Sequence, residues 1–171
     1  MIKVREAIED DAVALIELRR SLLRETEFLL LEPAEYAPTV ETEVSFINGF
    51  QALKNSAVFI AVDDNGDFVG FVGLAGGTTN RTKHRANLFI GVLKQQWGMG
   101  VGRLLMDKLI AWSNESELLR IELTTDTNNH RAVALYKKMG FEIEGIKLSN
   151  IMLGDRCVDE YSMFYLIQKN A

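Results

Sequence analysis

The sequence predicts an α/β protein with one mixed β-sheet of about seven strands flanked by about four helices. Two apolar, β-rich runs at residues 57–62 and 68–75 are joined by a segment containing Asn65-Gly66, the favoured dipeptide of a tight antiparallel hairpin. Farther along the chain, a strand, a helix and another strand follow one another, an order that requires a parallel crossover. A sheet with both kinds of connection is mixed.

The first half of the chain begins with a short strand at residues 2–5, where apolar and polar residues alternate. A helix follows, because apolar residues recur at helical spacing between positions 12 and 23. Residues 25–38 contain both prolines and are predicted to connect this helix to a second one at about 41–54.

The second half of the chain alternates strands with helices. The same periodicities predict a strand at 85–92, a helix at 101–114, a strand at 118–125, a helix at 129–139 and strands at 141–147 and 157–167. Leu104 is expected on the buried face of the first of these helices, beside Leu105 and Leu109. No repeat or long linker divides the chain, so residues 1–171 are expected to form a single domain.

Composition and charge argue against several classes of function. The chain has 171 residues and a formal net charge of −5 with interspersed charges, so it offers no basic stripe for nucleic acid. Cys157 is the only cysteine and His84 and His130 are the only histidines, so we expect neither a disulfide framework nor a metal site. The amino terminus lacks the apolar core of a signal peptide and no run is apolar enough to span a bilayer, which predicts a cytoplasmic protein.

Glycines recur at alternate positions where the fourth strand leads into a helix: Gly98, Gly100 and Gly102. Because glycine has no β-carbon, main-chain N–H groups can approach a phosphate closely, and the helix N-terminus adds positive potential. The turn therefore predicts a diphosphate-bearing cofactor, with a simple tight turn as the alternative. Its spacing fits neither the P-loop, since Arg103 and Leu104 stand where Lys and Ser or Thr are needed, nor the dinucleotide fingerprint.

The stretch NHRAVALYKKMGF at residues 129–141 is the second informative motif. Asn128 or Asn129 can cap a helix here, and Gly140 can end it. By itself the pattern is that of an ordinary amphipathic helix, in which Tyr136 is more often a core residue than a catalytic one.

Together, the two stretches closely resemble the Gcn5-related N-acetyltransferase (GNAT) family. Its members carry Arg/Gln-Gly-x-Gly-x-Gly/Ala and later Asn-x-x-Ala-x-x-Leu-Tyr-x-x-x-Gly-Phe. The second pattern is matched completely here. In the first pattern, Trp97 stands where the family usually has Arg or Gln. The resemblance implies a GNAT-like fold that transfers acetyl directly from acetyl-CoA to a primary amine of a small molecule or protein. It also implies that a homodimer forms through the last strands.

The resemblance further assigns roles to residues. Attack on the thioester develops an oxyanion, and the likeness gives its stabilisation to the amide of Val92. Tyr136 matches the family's acid, which protonates the departing thiolate or holds it by a hydrogen bond. Asn129 resembles the contact to the pantetheine arm, and Arg103 or Lys138 can meet the phosphates, with a solvated helix face as the alternative for each. The expected cofactor-binding residues are Ile90, Val92, Trp97, Gly98, Met99, Gly100, Val101, Gly102, Arg103, Asn129, Tyr136 and Lys138.

The acceptor site is less well defined by the sequence. The family often builds it from the segment between the first two helices, which here offers Glu25, Glu27, Glu32 and Tyr36, and Glu122 is a further carboxylate on the fifth strand. Each is individually more often a surface residue, and no base is assigned. Two other functions stay open at this point: a non-catalytic regulatory module that binds coenzyme A, and a nucleotide-binding protein that uses the same turn.

Overall fold

The structure is a computed structural model that describes residues 1–169. Its strands are β1 (Lys3–Glu6), β2 (Ala57–Val62), β3 (Phe68–Gly76), β4 (Arg85–Val92), β5 (Arg120–Asp126), β6 (Glu142–Leu153) and β7 (Arg156–Leu166). Its helices are α1 (Ala12–Glu25), α2 (Val40–Gln51), α3 (Val101–Glu115) and α4 (His130–Lys138). All seven strands lie in one sheet of order β1-β2-β3-β4-β5-β7-β6, which confirms the mixed α/β architecture predicted from the sequence.

The pairing of β4 with β5 differs from every other strand pair of the described residues, because it is parallel. It comprises only three residue pairs, from Arg85 with Arg120 to Asn87 with Glu122. Beyond Asn87 and Glu122 the two strands are no longer paired. A gap therefore opens between them toward their carboxyl ends.

The helices are divided between the two faces of the sheet. On the face covered by α3 and α4, called here the α3–α4 face, the core includes Leu105 and Tyr136. On the opposite, α1–α2 face, a second core gathers around Leu15 and Ile47. Burial of such apolar side chains is the main force that holds the helices against the sheet.

Side-chain alternation along β4 and β5 determines which residues reach each face. Leu88 and Leu123 belong to the core of the α3–α4 face. Because successive side chains of a strand point to opposite faces, Asn87, Phe89 and Glu122 point to the α1–α2 face.

Two predictions from the sequence are wrong in detail. β6 continues to Leu153 instead of ending at residue 147, because a two-residue turn at Gly154 and Asp155 joins it to β7 in a long hairpin; Gly154 has a φ of 58°, which glycine adopts readily. Leu104 is 43% exposed, since the buried side of α3 turns away from it and Met106 is buried instead. The other elements end within three residues of their predicted limits.

Candidate functional site

The gap between β4 and β5 exposes main-chain groups of β4. At the end of β4 the Leu93 N–H donates to the Val69 carbonyl of β3, at 3.0 Å. Because N–H groups alternate in direction along a strand, those of Ile90 and Val92 point away from β3 and into the gap. No residue of β5 beyond Glu122 pairs with them, so both N–H groups are available to a ligand.

The glycine turn follows β4 at the open end of this gap. Gly98 and Gly100 have φ values of 76° and 85°, in the left-handed region that favours glycine. The first hydrogen bond of α3 runs from the Leu104 N–H to the Gly100 carbonyl, at 3.0 Å. Within residues 1–169, the N–H groups of residues 98 and 100–103 have no hydrogen-bond partner, and they lie at the positive end of the helix dipole.

The other residues of the turn contribute in different ways. Met99 is 68% exposed, whereas Val101 is buried in the core, so Val101 offers a ligand only its main chain. Gly102 allows α3 to approach α4, because a β-carbon at this position would lie 3.1 Å from Cδ2 of Leu135. The glycine turn and α4 are thereby held close together.

Trp97 lies between the gap and the beginning of α4. Its indole N–H donates to the Val92 carbonyl at 2.8 Å, and the guanidinium of Arg131 lies 4.6 Å from its ring centroid. Arg131 has no ion-pair partner in the part of the chain that the structure describes. Sequence reasoning missed Arg131, because it is distant from Trp97 along the chain and no motif links the two.

Tyr136 lies on the buried side of α4, where it is 6% exposed and its ring centroid is 5.9 Å from that of Phe141. Burial raises the pKa of its phenol above the ordinary value, so the hydroxyl stays protonated at neutral pH. The hydroxyl makes no hydrogen bond to any described residue. Among the described residues, however, every fully buried polar side-chain atom has a hydrogen-bond partner. The hydroxyl oxygen is therefore not completely enclosed by the protein.

The remaining predicted cofactor ligands lie on α3 and α4. Asn129 caps α4 by accepting from the Ala132 N–H at 3.3 Å, which leaves its amide NH₂ group for a ligand. Arg103 is exposed in the first turn of α3 and approaches Asp107 at 3.6 Å. Lys138 lies in the last turn of α4, about 10 Å along the helix from the end that contacts Trp97. Lys138 is exposed there, three residues after Leu135, which contacts Gly102 of the glycine turn.

The acceptor candidates between α1 and α2 do not form one cluster. Glu25 accepts from the Lys94 N–H at 2.7 Å, just beyond the end of β4. Glu27 approaches Arg156 of the β6–β7 hairpin at 3.7 Å, and Glu32 is exposed in a short 3-10 turn. The contact with Arg156 joins the hairpin to the segment between α1 and α2.

Tyr36 belongs to a buried cluster that sequence reasoning missed. Arg19 donates to both carboxylate oxygens of Glu43, at 2.9 and 3.2 Å, and the Tyr36 hydroxyl donates to the same carboxylate at 3.3 Å. The Glu43 side chain is only 3% exposed, and the Arg19 guanidinium lies 4.7 Å from the Tyr36 ring and 5.0 Å from the Phe46 ring. Burial and the Glu43 carboxylate raise the pKa of Tyr36 to about 12, against the effect of Arg19. The one available signal was an arginine within the apolar stripe of α1.

A polar cavity of about 230 Å³ lies where β4 and β5 separate. It is lined by residues of four neighbouring strands: Arg85, Asn87, Glu122, Leu123, Thr124, Lys147 and Ser162. Arg85 forms an ion pair with Glu122, and Arg120 donates to Glu122 at 2.9 Å and to Glu144 at 2.6 Å. The hydrogen bond from Arg120 lowers the pKa of Glu144. Asn87 and Glu122 point to the α1–α2 face, so the cavity opens on that side of the gap.

Other features of the molecule lie apart from these motifs. A larger, open groove of about 460 Å³ beside Trp112 and Glu115 contains none of the motif residues. Among residues 1–169, no cluster of three or more His, Cys, Asp or Glu side chains is arranged to hold a metal ion. No helix in that part of the chain is long and apolar enough to cross a membrane.

Comparison with known sequences identifies relatives over most of the chain. Residues 17–141 match the Acetyltransferase (GNAT) family. The peptidyl-lysine N-acetyltransferase YjaB of Salmonella typhimurium is 31% identical over 148 residues, which cover 85% of this chain and 86% of that protein. The L-amino acid N-acetyltransferase AaaT of Escherichia coli is 35% identical over 100 residues, which cover 58% of this chain and 62%, less than two thirds, of that protein.

Solved structures share the whole architecture. A GNAT-family acetyltransferase from Streptococcus pneumoniae superposes with a TM-score of 0.94 at 32% identity, covering 98% of this chain and 100% of that chain. The yncA structure from Salmonella typhimurium, which contains acetyl-CoA, has a TM-score of 0.87 at 16% identity, covering 99% and 96% of the two chains. The second likeness, at such low identity, is one of fold.

Proposed function

Because this chain belongs to the GNAT acetyltransferase family, and is thus an acetyl-CoA-dependent N-acetyltransferase that acts on a primary amine, we propose how its own residues perform the transfer. The observation that best supports the proposal is the common position of three groups. The unpaired donors of the glycine turn, the gap-facing N–H groups of Ile90 and Val92, and the hydroxyl of Tyr136 all belong to elements on the α3–α4 side of the gap.

The diphosphate of acetyl-CoA binds, in this proposal, to the unpaired N–H groups of residues 98 and 100–103. Two arginines add positive charge there: Arg103 on α3 and Arg131, which Trp97 holds by a cation–π contact. Arg131 thereby supplies a positive charge beside Trp97, which stands where the family usually has Arg or Gln. Asn129 offers its amide to the pantetheine arm as it enters the gap.

A main-chain N–H of β4 stabilises the oxyanion that forms when the amine attacks the thioester carbonyl. We assign this role to Val92, and the N–H of Ile90 faces the same gap one step nearer its closed end. The Val92 carbonyl accepts from Trp97, which fixes the orientation of the peptide beside it. A donor fixed in this way needs no reorganisation during the reaction.

Tyr136 assists the departure of the thiolate. As the new C–N bond forms, the C–S bond breaks, sulfur leaves with the bonding electrons, and the excess proton of the amine passes to water in the polar cavity. A buried phenol with a raised pKa gives up its proton reluctantly to a thiolate whose conjugate acid has a pKa near 8.5. Tyr136 therefore acts mainly by donating a hydrogen bond to the sulfur as negative charge develops on it.

Tyr136→Phe tests this assignment, because it removes only the hydroxyl. We expect kcat to fall about a hundredfold while the KM for acetyl-CoA stays unchanged. Tyr165→Phe is the control, since Tyr165 is a partly buried tyrosine whose ring centroid lies 5.4 Å from that of Phe141. An unchanged kcat in Tyr136→Phe at every pH would contradict the role, and coenzyme A binding without transfer to any amine would favour the regulatory module.

We also infer that the chain forms a homodimer through β6. This strand is at the edge of the sheet, so its outer N–H and C=O groups are unpaired, and its exposed apolar residues include Ile146, Leu148 and Met152. A second copy that pairs along this edge would cover both the unpaired main-chain groups and the exposed apolar side chains. The exposed thiol of Cys157 is suited to the reducing cytoplasm, where we propose that the protein works.

A further inference from the structure

The polar cavity between β4 and β5 carries a charge that the proposed function does not use. Arg85, Glu122 and Lys147 are its ionisable lining residues. Arg85 and Glu122 pair with each other, and Glu122 also accepts from Arg120. Lys147 is left without an ion-pair partner among residues 1–169.

The carboxylates closest to Lys147 make other contacts. Glu160 is its cross-strand neighbour on β7, but it accepts from the Asn150 side chain at 2.5 Å. Glu144 accepts from Arg120 at 2.6 Å. Both carboxylates thus already accept hydrogen bonds, and the charge of Lys147 contributes to the lowered pKa of Glu144. Because Lys147 forms no ion pair among residues 1–169, its ammonium is available to a ligand.

A cavity with one unpaired cation selects ligands by their charge. A carboxylate on the acceptor would meet Lys147 in a charge-assisted hydrogen bond. An acceptor ammonium beside Lys147 is disfavoured relative to the neutral amine, because like charges repel. Since the neutral amine is the nucleophile, the cavity favours both a carboxylate and the reactive form of an amine next to it.

An aromatic wall continues from this polar cavity. Phe89 lies two residues beyond Asn87 on the same face of β4, about 7 Å along the strand. Its ring centroid is 5.8 Å from that of Phe50 and 6.4 Å from that of Phe46, and Phe89 is only partly buried. A ligand that occupies both regions has a charged end and an apolar side chain.

We propose that the acceptor is a free amino acid with an apolar side chain, whose carboxylate binds Lys147 and whose side chain lies against Phe89. The products are the N-acetyl amino acid and coenzyme A. This inference rests on the proposed function, because the amine has to reach a thioester held in the gap. A cavity of about 230 Å³ suits a small molecule, being below the roughly 300–1,000 Å³ of pockets for drug-sized ligands.

The test compares two acceptors that differ only in the carboxylate, L-phenylalanine and L-phenylalaninamide. The measured quantity is the kcat/KM for the acid divided by that for the amide. Comparing this ratio between protein variants cancels the intrinsic difference in amine reactivity. We expect Lys147→Met to lower the ratio about tenfold, and Lys147→Arg to retain it because the charge remains.

Lys3→Met is the matched control, because Lys3 is exposed on β1 at the opposite edge of the sheet and its loss should leave the ratio unchanged. An unchanged ratio in Lys147→Met would overturn the role of Lys147. Lysine-containing peptides acetylated with a higher kcat/KM than any free amino acid would overturn the acceptor class and leave the acetyltransferase activity standing. If no amine were acetylated at all, both the proposed acceptor class and the acetyltransferase activity would be overturned.

Discussion

On the α3–α4 face, the groups offered to a ligand are mainly main-chain donors, namely the N–H groups of the glycine turn and of Ile90 and Val92. On the α1–α2 face, they are side chains, including Lys147, Glu122 and Phe89. Main-chain donors suit a ligand part that never changes, such as a diphosphate. Side chains can be replaced one at a time, so the acceptor preference that we propose for the α1–α2 face can vary within one fold.

The two faces also differ in how they are held together. The glycine turn and α4 meet through an apolar contact, between Gly102 and Leu135. Helices α1 and α2 are joined by the charged pair of Arg19 and Glu43, the latter almost fully buried. Removing the partner of a buried charge is strongly destabilising because it leaves that charge uncompensated, whereas loss of an apolar contact leaves no charge behind.

The largest effect is expected from Glu43→Gln, which leaves Arg19 without its compensating charge. We expect the free energy of unfolding to fall by about 2 kcal/mol in denaturant titrations, with the affinity for coenzyme A unchanged. The matched control is Glu17→Gln, which breaks the exposed pair of Glu17 with Arg20 and should cost less than about 0.5 kcal/mol. Equal losses in the two variants would mean that burial of the Arg19–Glu43 pair adds nothing to its effect on stability.

A smaller effect on stability, but a specific one on binding, is expected from Gly100→Ala. Its φ of 85° makes alanine unfavourable by about 1 kcal/mol, and the distorted turn should raise the KM for acetyl-CoA about tenfold. Gly66→Ala is a close control, because Gly66 has a φ of 89° in the β2–β3 turn and both glycines have open space around them. Equal KM values in the two variants would mean that the turn does not hold the cofactor.

The smallest effect is expected from Arg131→Gln, because Arg131 is exposed and only one of several groups proposed to bind the diphosphate. We expect the KM for acetyl-CoA to rise about threefold, and the KM for S-acetylpantetheine, which lacks the diphosphate, to stay the same. Lys137→Gln, at the other end of α4, is the control. A rise for both acyl donors would place Arg131 elsewhere than at the diphosphate.

The sequence predicted the α3–α4 face much better than the α1–α2 face. The glycine turn and the Asn129–Tyr136 helix are local, so a few adjacent residues carry the whole pattern, and fold class and family followed from them. The residue roles assigned by resemblance stay predictions.

The α1–α2 face is assembled from residues that are distant along the chain. Glu122 meets Arg85 only because β4 and β5 are parallel neighbours, and Lys147 reaches the cavity only because β7 pairs with both β5 and β6. Helical and strand periodicities specify which residues are buried, but they do not specify which charges meet across strands. The pairing of Arg19 with Glu43 was inaccessible for the same reason.

Trp97 has a consequence for how this molecule can be observed. The chain has two tryptophans, and the other, Trp112, packs against Phe59 with ring centroids 6.4 Å apart, far from the glycine turn. The indole of Trp97 bonds to a carbonyl at the mouth of the gap, so a cofactor bound as we propose would change the surroundings of one emitter and leave the other as an internal reference. With that binding mode, the protein would carry its own fluorescent reporter of occupancy, without any attached dye.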